Sequence, residues 1–243
     1  MSARGFVVGA PRSGGGKTTI ALGLMRAFAR RGVKVVGAKC GPDYIDPAFH
    51  RAATGRDSVN LDSWAMSPEL LAALAAGNAR GAELVIAEAL MGFFDGVSGP
   101  DGRTGSSADV AAACGLPLIL VLDVSGQAQT AAALVKGFAT YDPRVKLVGV
   151  ILNRVGSERH VRLAGDAIEA LGVPVLGALP RMDDLVLPER HLGLVQAEET
   201  PRLDALLDAI ANRVEGACDL DRIIAGAADV AFEGGAAAPV ALS

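Results

Sequence analysis

The stretch GAPRSGGGKTTIALGLM, residues 9–25, decides the fold. An apolar run, GFVVGA (5–10), leads into it. After it Ile20, Leu24 and Phe28 recur every four residues, as one face of a helix does, until Gly32 stops the pattern. Strand, glycine loop and helix together form the context in which G-K-T binds phosphate. Gly14, Gly15 and Gly16, between Ser13 and the helix, let backbone N–H groups curl around an anion without Cβ clashes. The helix N-terminus adds its partial positive charge. Lys17 can reach the β- and γ-phosphates of a nucleotide, the Thr18 hydroxyl can ligate Mg²⁺, and Thr19 follows in the same turn.

The loop departs from the strict template at Pro11, which stands six residues before the lysine where glycine is expected. Arg12, five residues before Lys17, falls where a subgroup of these ATPases carries a second lysine; a solvated loop arginine is the other reading.

Outward from the loop, VKVVGAKC (33–40), ELVIAEA (83–89), LPLILVLD (116–123), VKLVGVILN (145–153) and VPVLGALP (173–180) read as further strands. Near-continuous Val, Ile and Leu implies strands covered on both faces, hence a parallel sheet between helix layers. SPELLAAL opens a helix with Ser67 as cap and Pro68 in its first turn. Six strands separated by helices predict a doubly wound, mainly parallel α/β domain over residues 1–224. From about Ala225 the chain becomes small and weakly patterned, so 225–243 reads as a linker or frayed tail.

Composition bounds the function. Of 243 residues 51% are apolar and 4% aromatic, so the core must be largely Ala, Val, Leu and Ile. A net charge of −4 without a Lys/Arg block argues against nucleic acid or an anionic membrane as partner. No signal segment or apolar run of spanning length is apparent, which reads as cytoplasmic. The three cysteines lack metal-type spacing and read as reduced, buried thiols. His50, His160 and His191 are scattered, with no paired carboxylate in the sequence to suggest a metal site.

The motifs KCGPDYIDPAFH (39–50), EALMGFFDG (88–96), ILNRV (151–155) and PERHLGL (188–194) resemble those of the cobyrinic acid a,c-diamide synthase family, which includes hydrogenobyrinic acid a,c-diamide synthases. The resemblance runs from about residue 4 to about 195. It implies a P-loop NTPase fold of the dethiobiotin synthetase type, with ATP and Mg²⁺ as cofactors. It also implies a tetrapyrrole substrate, hydrogenobyrinic or cobyrinic acid, whose a and c acetate carboxylates are amidated. Ala89, where glycine is common, and Arg12, where a small residue is usual, depart from the pattern. The family's glutamine amidotransferase domain is absent from these 243 residues, and the tail reads as the linker towards it. Ammonia from such a domain is the expected nitrogen source. A homodimer across the site is a further expectation, since relatives of this fold often pair there.

A carboxylate does not react with ammonia, because its leaving group is too poor; an acyl phosphate made from ATP removes that obstacle. The protein must hold γ-phosphate, Mg²⁺ and carboxylate in line. Glu88, at the end of an apolar strand, falls at the carboxyl edge beside the loop and is the first choice for Mg²⁺ together with Thr18. Asp46 is the second, by resemblance and because hard cations take carboxylate oxygens. Lys39 is placed to neutralise a transferring phosphoryl group, or to snorkel at a strand end. Asp43 and Tyr44 suit substrate orientation or ammonia handling. Asp95 could bind ammonium, or be half of an Asp-Gly turn. Asn153 is the expected reader of the adenine edge, with backbone groups of GALP (177–180), ending at Pro180, beside it. Asp123 reads as a support for the site or as a helix cap. His191 falls near the substrate or a subunit contact, or is a satisfied structural histidine. A nickel-sirohydrochlorin a,c-diamide synthase, dethiobiotin synthetase and a partition-type ATPase are the rival readings.

Overall fold

Buried residues follow Arg4 without a break to the end of the first strand, β1 (Arg4–Gly9), as expected of a strand at the centre of a sheet. The computed structural model describes residues 3–182, 185 and 202–230. Along the chain follow α1 (Lys17–Arg30), β2 (Val35–Cys40), α2 (Asp46–Thr54), β3 (Val59–Leu61), α3 (Pro68–Asn78) and β4 (Leu84–Glu88). Then come α4 (Ser107–Ala113), β5 (Leu118–Asp123), α5 (Ala131–Thr140), β6 (Leu147–Val155), α6 (Glu158–Glu169) and β7 (Val175–Pro180). The described chain closes with α7 (Leu203–Ala217), α8 (Leu220–Ala225) and β8 (Ala228–Asp229).

The sheet runs β3-β2-β4-β1-β5-β6-β7, and every pairing along that path is parallel. The central strand β1 feeds both layers. Phe6 and Val8 pack with Ile20, Leu24, Phe28 and Val214 on the side of α1 and α7, while Val7 packs with Val110, Leu120 and Val135 on the side of α4 and α5. Alternation between two apolar layers explains why these strands carry no polar face. The chain leaves β1 towards β2, on one side, and leaves the neighbouring β4 towards β5, on the other. A crevice therefore opens where the connections diverge, at the carboxyl ends of β1, β2 and β4.

Two short strands are additions to the six read from the sequence. Three residues pair β3 with Ala38–Cys40 at the sheet edge. β8 pairs antiparallel with Arg4 and Gly5, beside the part of β1 that β5, starting at Val7, does not reach. The small-residue segment after Ala225 thus docks on the sheet as far as Val230, which is buried. Residues 231–243 lie outside the described residues.

Candidate active site

The glycine loop joins β1 to α1. Gly14 and Gly16 have φ of 72° and 91°, a left-handed backbone that favours glycine. α1 starts at Gly16 without a side-chain cap, whereas Ser67, Ser106 and Ser157 cap α3, α4 and α6. Its first N–H groups therefore face the loop's concave side, the arrangement that suits phosphate. A Cβ on Gly16 would meet the Asn153 amide at 2.2 Å, so the loop closes tightly on β6. Lys17 is buried at the first position of α1. The residues present fit a nucleotide's phosphates.

Behind the loop lies a fully buried cluster of charge. Glu88, the last residue of β4, has no exposed surface and accepts a hydrogen bond from the Thr18 hydroxyl at Oε1. Lys39, next to last in β2 and register partner of Glu88, places Nζ 3.0 Å from Glu88 Oε1 and 2.6 Å from Asp46 Oδ2. Its third contact is the Ala89 carbonyl at 3.2 Å, so all three ammonium protons are used. On the other side of Glu88, His50 Nε2 lies 2.9 Å from Oε2, and His50 Nδ1 lies 3.0 Å from Ser58 Oγ. Asp43 Oδ1 accepts from the backbone N–H groups of Ile45 and Asp46 at 2.8 and 3.0 Å, which folds the loop that opens α2.

The electrostatics follow from that packing. Burial alone would raise the Glu88 carboxyl, but the Lys39 charge and the His50 and Thr18 hydrogen bonds outweigh it and hold Glu88 well below the usual carboxylate range. Burial would likewise depress Lys39; Glu88 and Asp46 reverse that and keep it charged. Asp46 is raised, by burial and by repulsion from Glu88. Glu88 is thus the carboxyl of the group pulled towards its ionised form, and Asp46 the one pushed away from it.

Thr18 Oγ1, Glu88 and Asp46 are hard oxygen donors gathered behind the loop, the set that suits Mg²⁺, which usually takes one or two carboxylates with phosphate oxygens. No group of three or more His, Cys, Asp or Glu that could hold a metal unaided is present among the described residues. An ion here would be shared with the nucleotide.

Asn153, at 4% exposure, donates its amide to the Gly15 carbonyl at 2.9 Å and accepts the Arg154 N–H at 3.0 Å. Those bonds use half of the amide's capacity and leave one N–H and one lone pair for a further partner. Pro180 ends β7 opposite Val155. Arg12 has a definite partner, its guanidinium 3.0 Å from Asp123 Oδ2. Arg154, at φ 59°, reaches the same oxygen at 2.6 Å, and Asp123 Oδ1 takes the Ser125 N–H and hydroxyl. Burial opposes, but the Ser125 and Arg154 hydrogen bonds hold Asp123 below its usual range. Asp123 therefore ties the loop to the ends of β5 and β6.

Asp95 accepts the Gly92 N–H at 3.0 Å, the turn arrangement, beside Pro11 of the loop. Tyr44 is 95% exposed and stands apart from the buried group. PERHLGL and His191 lie outside the described residues. Two residues of the cluster escape sequence reasoning, His50 and Ser58. The reading that no histidine has a paired carboxylate is corrected here: Glu88 is the partner of His50, brought to it by the packing of α2 on the sheet. The spacing Asp46 to His50, i to i+4 on one helix face, is the signal that could have found it.

Residues 6–195 match the CobQ/CobB/MinD/ParA nucleotide binding domain family. Among curated proteins, the hydrogenobyrinate a,c-diamide synthase of Mesorhizobium japonicum is 61% identical over 92% of this chain and 51% of its own length. Those of Agrobacterium fabrum and Rhodobacter capsulatus are 55% and 53% identical, over 95% and 98% of this chain and 52% and 55% of theirs. The chain spans about half the length of these relatives. With its glycine loop, its parallel sheet and this match across most of its length, the chain belongs to the CobQ/CobB/MinD/ParA nucleotide-binding domain family.

Proposed function

We propose that the chain carries the ATP-dependent amide-forming activity of a hydrogenobyrinate a,c-diamide synthase, acting on the a and c acetate carboxylates of hydrogenobyrinic or cobyrinic acid. The observation that carries this reading is the buried Thr18–Glu88–Lys39–Asp46 group behind the phosphate loop. The similarity to the Mesorhizobium, Agrobacterium and Rhodobacter synthases supports the substrate class.

A substrate carboxylate oxygen attacks the γ-phosphorus of ATP, the bond to the β-bridging oxygen breaks, and ADP leaves. Ammonia then attacks the acyl carbon, loses a proton, and expels inorganic phosphate that carries one former carboxylate oxygen. Two carboxylates require two ATP. Lys17 and the N–H groups of Gly14 to Thr19 hold the phosphates, with Ser13 at the loop's rim. Thr18, Glu88 and Asp46 would hold Mg²⁺, which supplies charge neutralisation at the phosphates. Lys39 offsets the charge of both carboxylates and lends its own to the transferring phosphoryl group. Asp43 shapes the loop in which Tyr44 is offered to the macrocycle. Asp95 fixes the turn beside Pro11, where it can meet ammonium. Asn153 uses its remaining donor and acceptor on adenine, beside Pro180.

The test is ATP turnover by the purified chain with a panel of carboxylates and ammonium, products identified by mass. Turnover coupled to a gain of two amide groups on the corrinoid supports the proposal. Equal turnover without any carboxylate contradicts it.

A further inference from the structure

His50 has no exposed surface and does not belong to the phosphate loop, yet it fills the far side of the Glu88 carboxylate. An ionised carboxylate only accepts, so the proton in the 2.9 Å contact belongs to His50 Nε2. The other ring nitrogen, Nδ1, pairs with the Ser58 hydroxyl across 3.0 Å. The ring is braced from both ends, and Glu88 is held from three directions: Thr18 and Lys39 at Oε1, His50 at Oε2. The backbone is cut to admit the ring. A Cβ on Gly37, in β2, would fall 2.7 Å from His50 Cβ and 3.0 Å from its Nδ1. Such contacts are shorter than packed atoms tolerate, so only glycine there lets the imidazole lie against β2.

We infer that His50, oriented by Ser58, is a positioning residue that fixes the Glu88 carboxylate so that Oε1 faces Thr18 and the metal. This inference rests on the reading of Glu88 as a Mg²⁺ ligand. A group that orients a metal-binding carboxylate commonly matters about 10- to 100-fold in metal affinity. Without His50 the carboxylate would be held at Oε1 alone, by Thr18 and Lys39, and its Oε2 end would be free to swing about the last bond.

Two amides separate the role from simple packing. His50→Gln places an N–H near the position of Nε2 and keeps the bond to Glu88. His50→Asn, one methylene shorter, keeps a group near Nδ1 and Ser58 and loses Glu88. Binding of Mn²⁺, in place of Mg²⁺ and with ADP present, is followed by electron paramagnetic resonance of the free ion, with folding checked by circular dichroism. We expect His50→Asn to bind Mn²⁺ about 10-fold more weakly than the parent, and His50→Gln to recover most of the loss. Gly37→Ala, which pushes the unaltered ring, should behave like His50→Asn. Equal Mn²⁺ affinity in both amides overturns the inference, and so does loss of fold in both, which would make His50 a packing residue. Glu88→Gln runs beside them. If it is weakened while His50→Asn matches the parent, the positioning role alone fails. If both match the parent, the metal role of Glu88 fails with it.

Discussion

Lys39→Met replaces a buried ammonium by an apolar side chain of similar length, and the structure sets the size of the effect. The lysine is 2% exposed and its three protons serve Asp46, Glu88 and the Ala89 carbonyl. Its removal takes away the ammonium that Asp46 and Glu88 share, with both carboxylates still buried. Breaking one side of a buried ion pair costs about 3–5 kcal/mol, which in a domain of this size lowers the melting temperature by roughly 6–20 °C. The pH dependence has a definite sign. In the parent, Glu88 lies below its unfolded value, so its contribution is present above the unfolded carboxylate range and is lost as pH falls through the folded value. Asp46, raised, does the opposite: its contribution is complete at low pH and declines as pH rises through its folded value. Without Lys39 its downward pull on both carboxyls is lost while burial and their mutual repulsion remain, so the folded variant should hold a proton that the unfolded chain releases. Its stability therefore recovers as pH is lowered towards the unfolded carboxylate range, about pH 4, and the gap to the parent narrows. Calorimetric melting of both proteins across this range is the assay. A neutral-pH deficit below about 1 kcal/mol, the scale of an exposed pair, or a deficit independent of pH, would refute the counter-ion role.

Three further outcomes follow from the site. Glu88→Gln keeps the shape and removes the charge, so kcat should fall steeply and the Mg²⁺ requirement rise; an unchanged Mg²⁺ titration moves the metal role to Asp46 or Asp123. Asn153→Ala should weaken ATP by about 1–3 kcal/mol through an unpaired adenine group, and should lower discrimination against GTP. A loss shared equally by ATP and GTP would leave Asn153 only its bond to Gly15. The three cysteines have thiols pushed up to about 12, by burial above all, and among the described residues His50 and His160 bond to Ser58, Glu88, Gly156 and Gln127 rather than to a thiol. Glutamine hydrolysis by cysteine needs an activated thiolate. The purified chain should therefore amidate with ammonium salts, faster as rising pH releases neutral ammonia, and fail with glutamine; glutamine-dependent amidation would show the reasoning wrong.

What the sequence showed and what it hid separate along physical lines. The glycine loop was legible because strand, loop and helix are adjacent in the chain and the backbone demand is local. The six long strands announced themselves by burial on both faces. β3 and β8 did not, because strands of three and two residues carry no periodicity and exist through pairing with β2 and β1. Lys39, Asp46 and Glu88 were found by motif and strand position. Their mutual ion pairs, and the histidine behind them, depend on α2 lying across the ends of β2 and β4. Arg12 is the clearest case of distance hiding a partner, since Asp123 is 111 residues away. No helix among the described residues is long and apolar enough to cross a membrane.

The central claim is that the γ-phosphoryl group passes to a substrate carboxylate. The direct measurement supplies the corrinoid with ¹⁸O in its acetate carboxylates and follows the phosphate by mass during amidation with ammonia. Each phosphate released should carry one ¹⁸O from the carboxylate and none from labelled water, with one phosphate for each amide formed. Phosphate that takes its new oxygen from water, released without amide, would mean that ATP is merely hydrolysed here, as in a nucleotide switch, and would contradict the account.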